Sequence, residues 1–212
     1  MSKWIDVSLF VEEGMITYND KFPFRRPIKN SIDGGDLYNE SRLDMGCHTG
    51  THIDAPYHFN NDGKRVHQLD LDTLVGECFV VELMGIDVVT YDDLARSNIP
   101  DGVKRLLIKT DNSVIGYEGK FRPEFVGLDL SAVRFIHEKG ILLLGTDYFA
   151  ISKHELSAPV HQEFFKNNEC IALEAVNMKE LSRGWYDMIC LPLRLKDADG
   201  SPARVIVKKS EH

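Results

Sequence analysis

Eleven residues constrain this chain more than any others: His48-Thr49-Gly50-Thr51-His52-Ile53-Asp54-Ala55-Pro56-Tyr57-His58. Three of the eight histidines and an aspartate fall in this one stretch. Pro56 and the β-branched Thr49, Thr51 and Ile53 oppose a regular helix. In an extended strand, the two-residue period would set His48, His52, Asp54 and His58 on a single face. Extension alone fails, because it spreads His48 and His52 roughly 13 Å apart at ~3.3 Å per residue, too far to share an ion. Gly50 tolerates backbone conformations that other residues resist, so the segment is expected to bend there and fold His48 back towards His52 and Asp54. Imidazole nitrogen and carboxylate oxygen are donors that zinc, manganese or iron accept at neutral pH. Taken singly, each residue also reads as an ordinary core histidine or a turn aspartate. Taken together, they read as a metal site.

The rest of the sequence supplies an ordinary globular frame. Its 212 residues suit one domain spanning 1–212, and no repeat or Gly/Ser/Pro-rich linker divides them. Acidic residues outnumber basic ones by 33 to 25, a net charge of -8 that repels phosphate backbones and anionic lipid. Nucleic-acid and membrane partners are therefore not expected, and a small molecule is. No apolar run is long enough to span a bilayer. Asp6, Glu12 and Glu13 interrupt any signal core near the N-terminus, which points to the cytoplasm. The cysteines at 47, 78, 170 and 190 lack the spacing of a zinc knuckle or redox motif and read as reduced, mostly buried thiols. Cys47, next to His48, is a minor candidate ligand.

Strand patterns cover Trp4 to Phe10, Glu77 to Met84, Arg105 to Lys109 and Ile141 to Gly145. A helix is expected over Leu128 to Lys139, capped by Asp129 or Ser131 and stopped by Gly140. A second is expected to open at Pro159 and run to about Asn167, with Val160, Phe164 and Phe165 inward. The recurring strand–helix–strand order predicts a single α/β domain with a mixed β-sheet flanked by helices.

The stretch from His48 to His58 matches His-x-Gly-Thr-His-x-Asp-x-Pro-x-His at every fixed position. In this it resembles the cyclase family of metal-dependent hydrolases, which includes bacterial kynurenine formamidases and isatin hydrolases. Gly145-Thr146-Asp147, the helix after Pro159 and Gly200-Ser201-Pro202-Ala203-Arg204 extend the resemblance over most of the chain. It implies a swivelling β/β/α fold and a divalent metal on His48, His52 and Asp54, with His58 as proton shuttle. It also implies a later His and Glu that complete the site and bind a second ion in some members. His161 and Glu174 fit best, one residue further apart than is common, and Asn167-Asn168-Glu169 is where an extra loop residue would fall. Relatives are commonly dimers or tetramers, which implies a homodimer or homotetramer.

Glu174 ends the apolar run Cys170-Ile171-Ala172-Leu173, where a charged carboxylate needs a partner: a metal, an Arg or backbone N–H groups. His154 and Glu155 compete for the same role. The ion, one or two, is zinc first and manganese second, since His and Asp suit both. Such an ion lowers the pKa of water from ~15.7 towards ~7 and polarises a carbonyl. His58 could then move a proton from water to a leaving amine. The expected reaction is hydrolysis of a carbonyl C–N bond in an aryl formamide, amide or lactam. Tyr18 is a candidate substrate contact, with packing of an N-terminal arm as the alternative. Asp147 reads either as a support for the site or as a turn or helix cap. Two other readings stand beside the hydrolase: a non-catalytic metal-binding protein, and a family member that catalyses cyclisation or dehydration.

Overall fold

Which way His52 and Asp54 face is decided by the sheet that holds them. In the computed structural model, which describes residues 3–210, the strands are β1 (Ile5–Asp6), β2 (Ile28–Asn30), β3 (Glu40–Ser41), β4 (His52–Asp54), β5 (Val75–Glu82), β6 (Arg105–Lys109), β7 (Leu143–Thr146), β8 (Ile171–Glu174), β9 (Gly184–Pro192) and β10 (Gly200–Lys209). The α-helices are α1 (Leu71–Leu74), α2 (Tyr91–Arg96), α3 (Asp111–Ile115), α4 (Leu130–Lys139) and α5 (Ser157–Phe165). Met1, Ser2, Glu211 and His212, the ends of the expected domain, lie outside the described residues.

The chain forms a mixed α/β domain. β5 to β8 run parallel, and β4, β9 and β10 add antiparallel pairings. The sheet closes on itself: β10 pairs with β4 on one edge and with β9 on the other, giving the circuit β10-β4-β8-β7-β6-β5-β9. Side chains alternate across this wall by the strand period of two. Cys78, Val80, Leu107, Ile171, Leu173 and Val205 point into the barrel. Phe79, Val81, Leu106, Ile108 and Ala172 point outwards and pack under α2, α4 and α5. Ile53 joins the inner set, so His52 and Asp54 face outwards. In the β4–β8 register His52 stands opposite Glu174. The wall thus presents one polar strip to the helical layer.

Local signals explain the elements. Asp129 caps α4 by accepting from Ala132 N–H, and Gly140 ends it in the left-handed region at φ 70°. The expected helix from Pro159 begins two residues earlier, at Ser157, with Pro159 inside its first turn where the missing N–H costs nothing. Val160, Phe164 and Phe165 are buried as expected. The expected strand from Trp4 to Phe10 shrinks to Ile5–Asp6. Beyond Val7, hydroxyls replace the ladder: Val205 N–H donates to Ser8 Oγ, and Leu9 N–H donates to Thr51 Oγ1. The strand expected over Glu77 to Met84 runs instead over Val75–Glu82, and the one over Ile141 to Gly145 over Leu143–Thr146.

Candidate active site

Gly50 takes φ +63°, and β4 begins only at His52, so the chain bends where the sequence predicts. The bend brings the His48 and His52 rings to 5.1 Å between centroids. It also turns the Gly50 carbonyl to accept from His52 Nδ1 at 2.9 Å. A carbonyl can only accept, so Nδ1 carries the proton and Nε2 is left facing the outer strip. That Nε2 is buried without a hydrogen-bond partner, 3.3 Å from Asp54 Oδ1 and 3.4 Å from Glu174 Oε2. His48 Nδ1 lies 2.6 Å from Asp54 Oδ1. After β4, Ala55 and Pro56 start a tight turn, Pro56–His58, whose ring packs on His48 at 4.1 Å.

The helical layer supplies the other side. In α5, His161 Nδ1 donates to the Ser157 carbonyl at 2.7 Å, which directs Nε2 to Glu174 Oε1 at 3.4 Å. Glu174 Oε1 also accepts from Ile151 N–H at 2.8 Å. The buried carboxylate is therefore held by a backbone donor and His161, with no arginine among its partners. His154 and Glu155 stay apart from this cluster. His154 instead bonds Asn19 and packs against Tyr18.

Charge balances across the strip. Burial alone would push the His48 pKa down, but Asp54 and Asp199 overcome it and raise it to about 11. The same contest, with Asp54 and Glu174 prevailing, raises His52 to about 9. Burial pushes Asp54 up, and the surrounding histidines hold it well below the usual carboxylate range. His58 differs: burial wins and lowers it. Protons on His48 and His52 balance the carboxylates here as a bound cation would. Two groups have donor atoms within 4.8 Å of one another, His48/Asp54/His58 and His52/Asp54/Glu174, with Asp54 common to both. An all-His/carboxylate donor set, with a buried unpartnered imidazole nitrogen aimed into it, fits a divalent ion. Cys47 belongs to neither group.

A cavity of about 440 Å³ opens over this strip, within the range of small-molecule sites. Tyr18, Phe22, Phe59 and Phe149 give it aromatic walls, and Lys21 stands at its rim. Tyr18 sits on a turn in which Asn19 and Asp20 both take φ 54°. Asp147 plays no direct part: its carboxylate accepts from Thr110 N–H, Thr110 Oγ1, Asn112 Nδ2 and Ser113 N–H, and so holds the start of α3. Asp147 is thus not the cap itself, which is Thr110, but a carboxylate from beyond β7 that braces that cap. Asp199, absent from the sequence reading, lies 2.8 Å from His48 Nε2. Asp-Gly reads as a turn in sequence, and only its position before the familiar Gly200-Ser201-Pro202 hinted at more.

Residues 5–153 match the model of the family described as putative cyclase, a span that includes the whole His48–His58 motif. The chain belongs to the cyclase family. It is 36% identical over 210 residues to the kynurenine formamidase of Bacillus anthracis, covering 98% of each chain. The kynurenine formamidase of Bacillus mycoides is 35% identical over the same share. A structure described as a potential metal-dependent hydrolase with cyclase activity superposes at TM-score 0.85, with 33% identity and full coverage of both chains. Isatin hydrolase A of Ralstonia solanacearum shares the cyclase-family fold at TM-score 0.80, with 21% identity over 99% of this chain and 92% of that one.

Proposed function

We propose that this chain is a metal-dependent amidohydrolase that cleaves a carbonyl C–N bond, with an aryl formamide as the first substrate class to test. One observation carries the reading: His52 Nε2, buried and unpartnered, converges with Asp54 and Glu174 beneath an open cavity whose rim holds His58. His48, His52 and Asp54 would hold one divalent ion, and His161 and Glu174 would complete the site for it or for a second. Zinc is favoured, with manganese next, because the donor set suits both. Bound there, the ion would acidify water and polarise the scissile carbonyl.

The protein's own groups do the remaining work. His58, pushed towards its neutral form by burial, accepts the proton of the attacking water and returns it to the leaving amine. Phe59 stacks on His161 at 4.7 Å and shields that side from solvent. Tyr18 and Phe22 offer ring faces to an aromatic amide. The relatives named kynurenine formamidase put a formanilide-type substrate first. Lys21 would pair with a carboxylate on such a molecule.

The open cavity lined by His58 favours catalysis over a closed structural metal site. Cyclisation or dehydration would be separated from hydrolysis by product mass, through net loss rather than gain of water. The swivelling β/β/α class, a cytoplasmic location consistent with four free cysteines, and a homodimer or homotetramer complete the reading. Exposed Phe10 and Leu37 support self-association. Among the described residues no helix is long and apolar enough to cross a membrane. A small-molecule substrate is the partner, and the acidic net charge disfavours nucleic acid.

The test is ion content by mass spectrometry together with turnover of N-formylaniline, in the parent and in His161→Ala. One equivalent retained in the variant supports a single ion on His48, His52 and Asp54, whereas two falling to one makes His161 a ligand of a second. No ion uptake and no turnover would end the hydrolase reading.

A further inference from the structure

Asp199 stands immediately before β10, 141 residues beyond His58, yet its carboxylate meets the edge of the site. Oδ2 lies 2.8 Å from His48 Nε2 and 3.4 Å from His58 Nδ1. The backbone holds it in that place: the Asp199 carbonyl accepts from Ala55 N–H at 2.9 Å, and Gly200 pairs with Asp54 in the β10–β4 register. Gly200 also makes the seat for His48. A Cβ built there would lie 2.5 Å from His48 Cε1, so the ring occupies the space a side chain would need.

We infer that Asp199 is a positioning residue whose single carboxylate oxygen sets the tautomers of both His48 and His58. The inference rests on the hydrolase reading for its purpose, not for its geometry. An ionised carboxylate only accepts, so the ring nitrogens facing it, His48 Nε2 and His58 Nδ1, are the ones that carry hydrogen. When each ring is neutral, its lone pair is then on the opposite nitrogen. For His48 the opposite nitrogen, Nδ1, meets Asp54 Oδ1 at 2.6 Å and so also carries hydrogen until a bound ion takes that place; for His58 it is Nε2, 4.0 Å from Asp54 Oδ2. Both opposite nitrogens are thus turned inward, one to ligate and one to take a proton. His52 and His161 reach the same state through backbone carbonyls. His48 and His58 have no such carbonyl partner, and Asp199 serves in its place.

The experiment uses the full chain labelled with ¹⁵N-histidine, ion-free and reconstituted with zinc, at pH 8. Long-range ¹⁵N–¹H correlation is expected to show His58 as the Nδ1–H tautomer in the parent. Asp199→Asn is expected to shift it towards Nε2–H, because the amide carries no negative charge and its NH2 end can turn to the rings as a donor. In the same variant, kcat on N-formylaniline is expected to fall about 10–100-fold with KM nearly constant, and zinc affinity by chelator competition to weaken by a similar factor. Asp199→Glu is expected to recover part of each loss. Finding His58 as Nε2–H in the parent would overturn the inference without reference to any variant. So would Asp199→Asn with parental kcat and zinc affinity. A parent that turns over no formamide would refute the hydrolase reading alone, since the tautomer of His58 is read without turnover.

Discussion

Replacing Gly200 with Ala tests whether the β10–β4 junction seats a ligand or merely closes the barrel. The new Cβ would stand 2.5 Å from His48 Cε1, 2.9 Å from Ile53 O and 3.0 Å from His48 Nδ1. Carbon atoms pack at about 3.5–4.0 Å, so the ring must retreat by about 1 Å or the strands must part. Retreat is obstructed, because His58 lies against His48 at 4.1 Å between centroids. Overpacking of this kind costs about 1–3 kcal/mol, or roughly 2–12 °C in Tm for a domain of this size. A ligand misplaced by about 1 Å can cost about 10²-fold in rate. Calorimetry, zinc competition and kcat/KM on N-formylaniline read the three effects. Gly145→Ala is the control: its Cβ would meet Leu107 Cδ2 inside the wall, so it is expected to lower Tm while sparing zinc affinity. Gly200→Ala with parental zinc affinity and kcat/KM would refute the seating of His48.

Four further outcomes are expected. His58→Ala loses about 10²–10⁴-fold in kcat while zinc affinity stays within about threefold, and loss of zinc comparable to that in His52→Ala would show His58 to be a ligand instead. Zinc binding at pH 7 releases close to two protons, because His48 near 11 and His52 near 9 are both charged in the ion-free protein and must be neutral to ligate. Calorimetry in buffers of different ionisation enthalpy counts them, and zero release would contradict the raised values. The same two shifts lie above the unfolded histidine value, so their stabilisation of the ion-free fold is complete below pH ~6.5 and is lost as pH rises through about 9 and then 11. Ion-free Tm is therefore expected to fall from pH 7 to pH 10, and a flat profile would count against it. Lys21→Ala raises KM about tenfold for a formanilide bearing a carboxylate and leaves an uncharged one unchanged, while equal effects on both would remove Lys21 from recognition.

Much of this was legible in order of residues alone. The His48–His58 spacing announced both the donor types and the bend, since only a positive φ at Gly50 brings His48 back to His52. The α4 boundaries followed from Asp129 and Gly140, which act through local hydrogen bonds and local backbone freedom. His161 and Glu174 came from the family resemblance; residue type alone said only that a carboxylate closing an apolar strand needs a partner, and left His154 and Glu155 in play. Barrel closure was not legible. It depends on β10, which forms a hairpin with β9 on one edge, also pairing on its other edge with β4, some 150 residues earlier and with no local signature.

The sequence by itself determined which atoms could hold an ion and where the chain must turn. These are short-range consequences of residue type and backbone freedom, and they survive any choice of topology. Tertiary structure alone decided that His52 and Asp54 face the helical layer rather than the barrel interior, because that follows from the register of β4 against β8 and β10. It alone brought Asp199 to the rings of His48 and His58. A carboxylate acquires that role only through the side chains that distant strand pairing places within 3.4 Å of it.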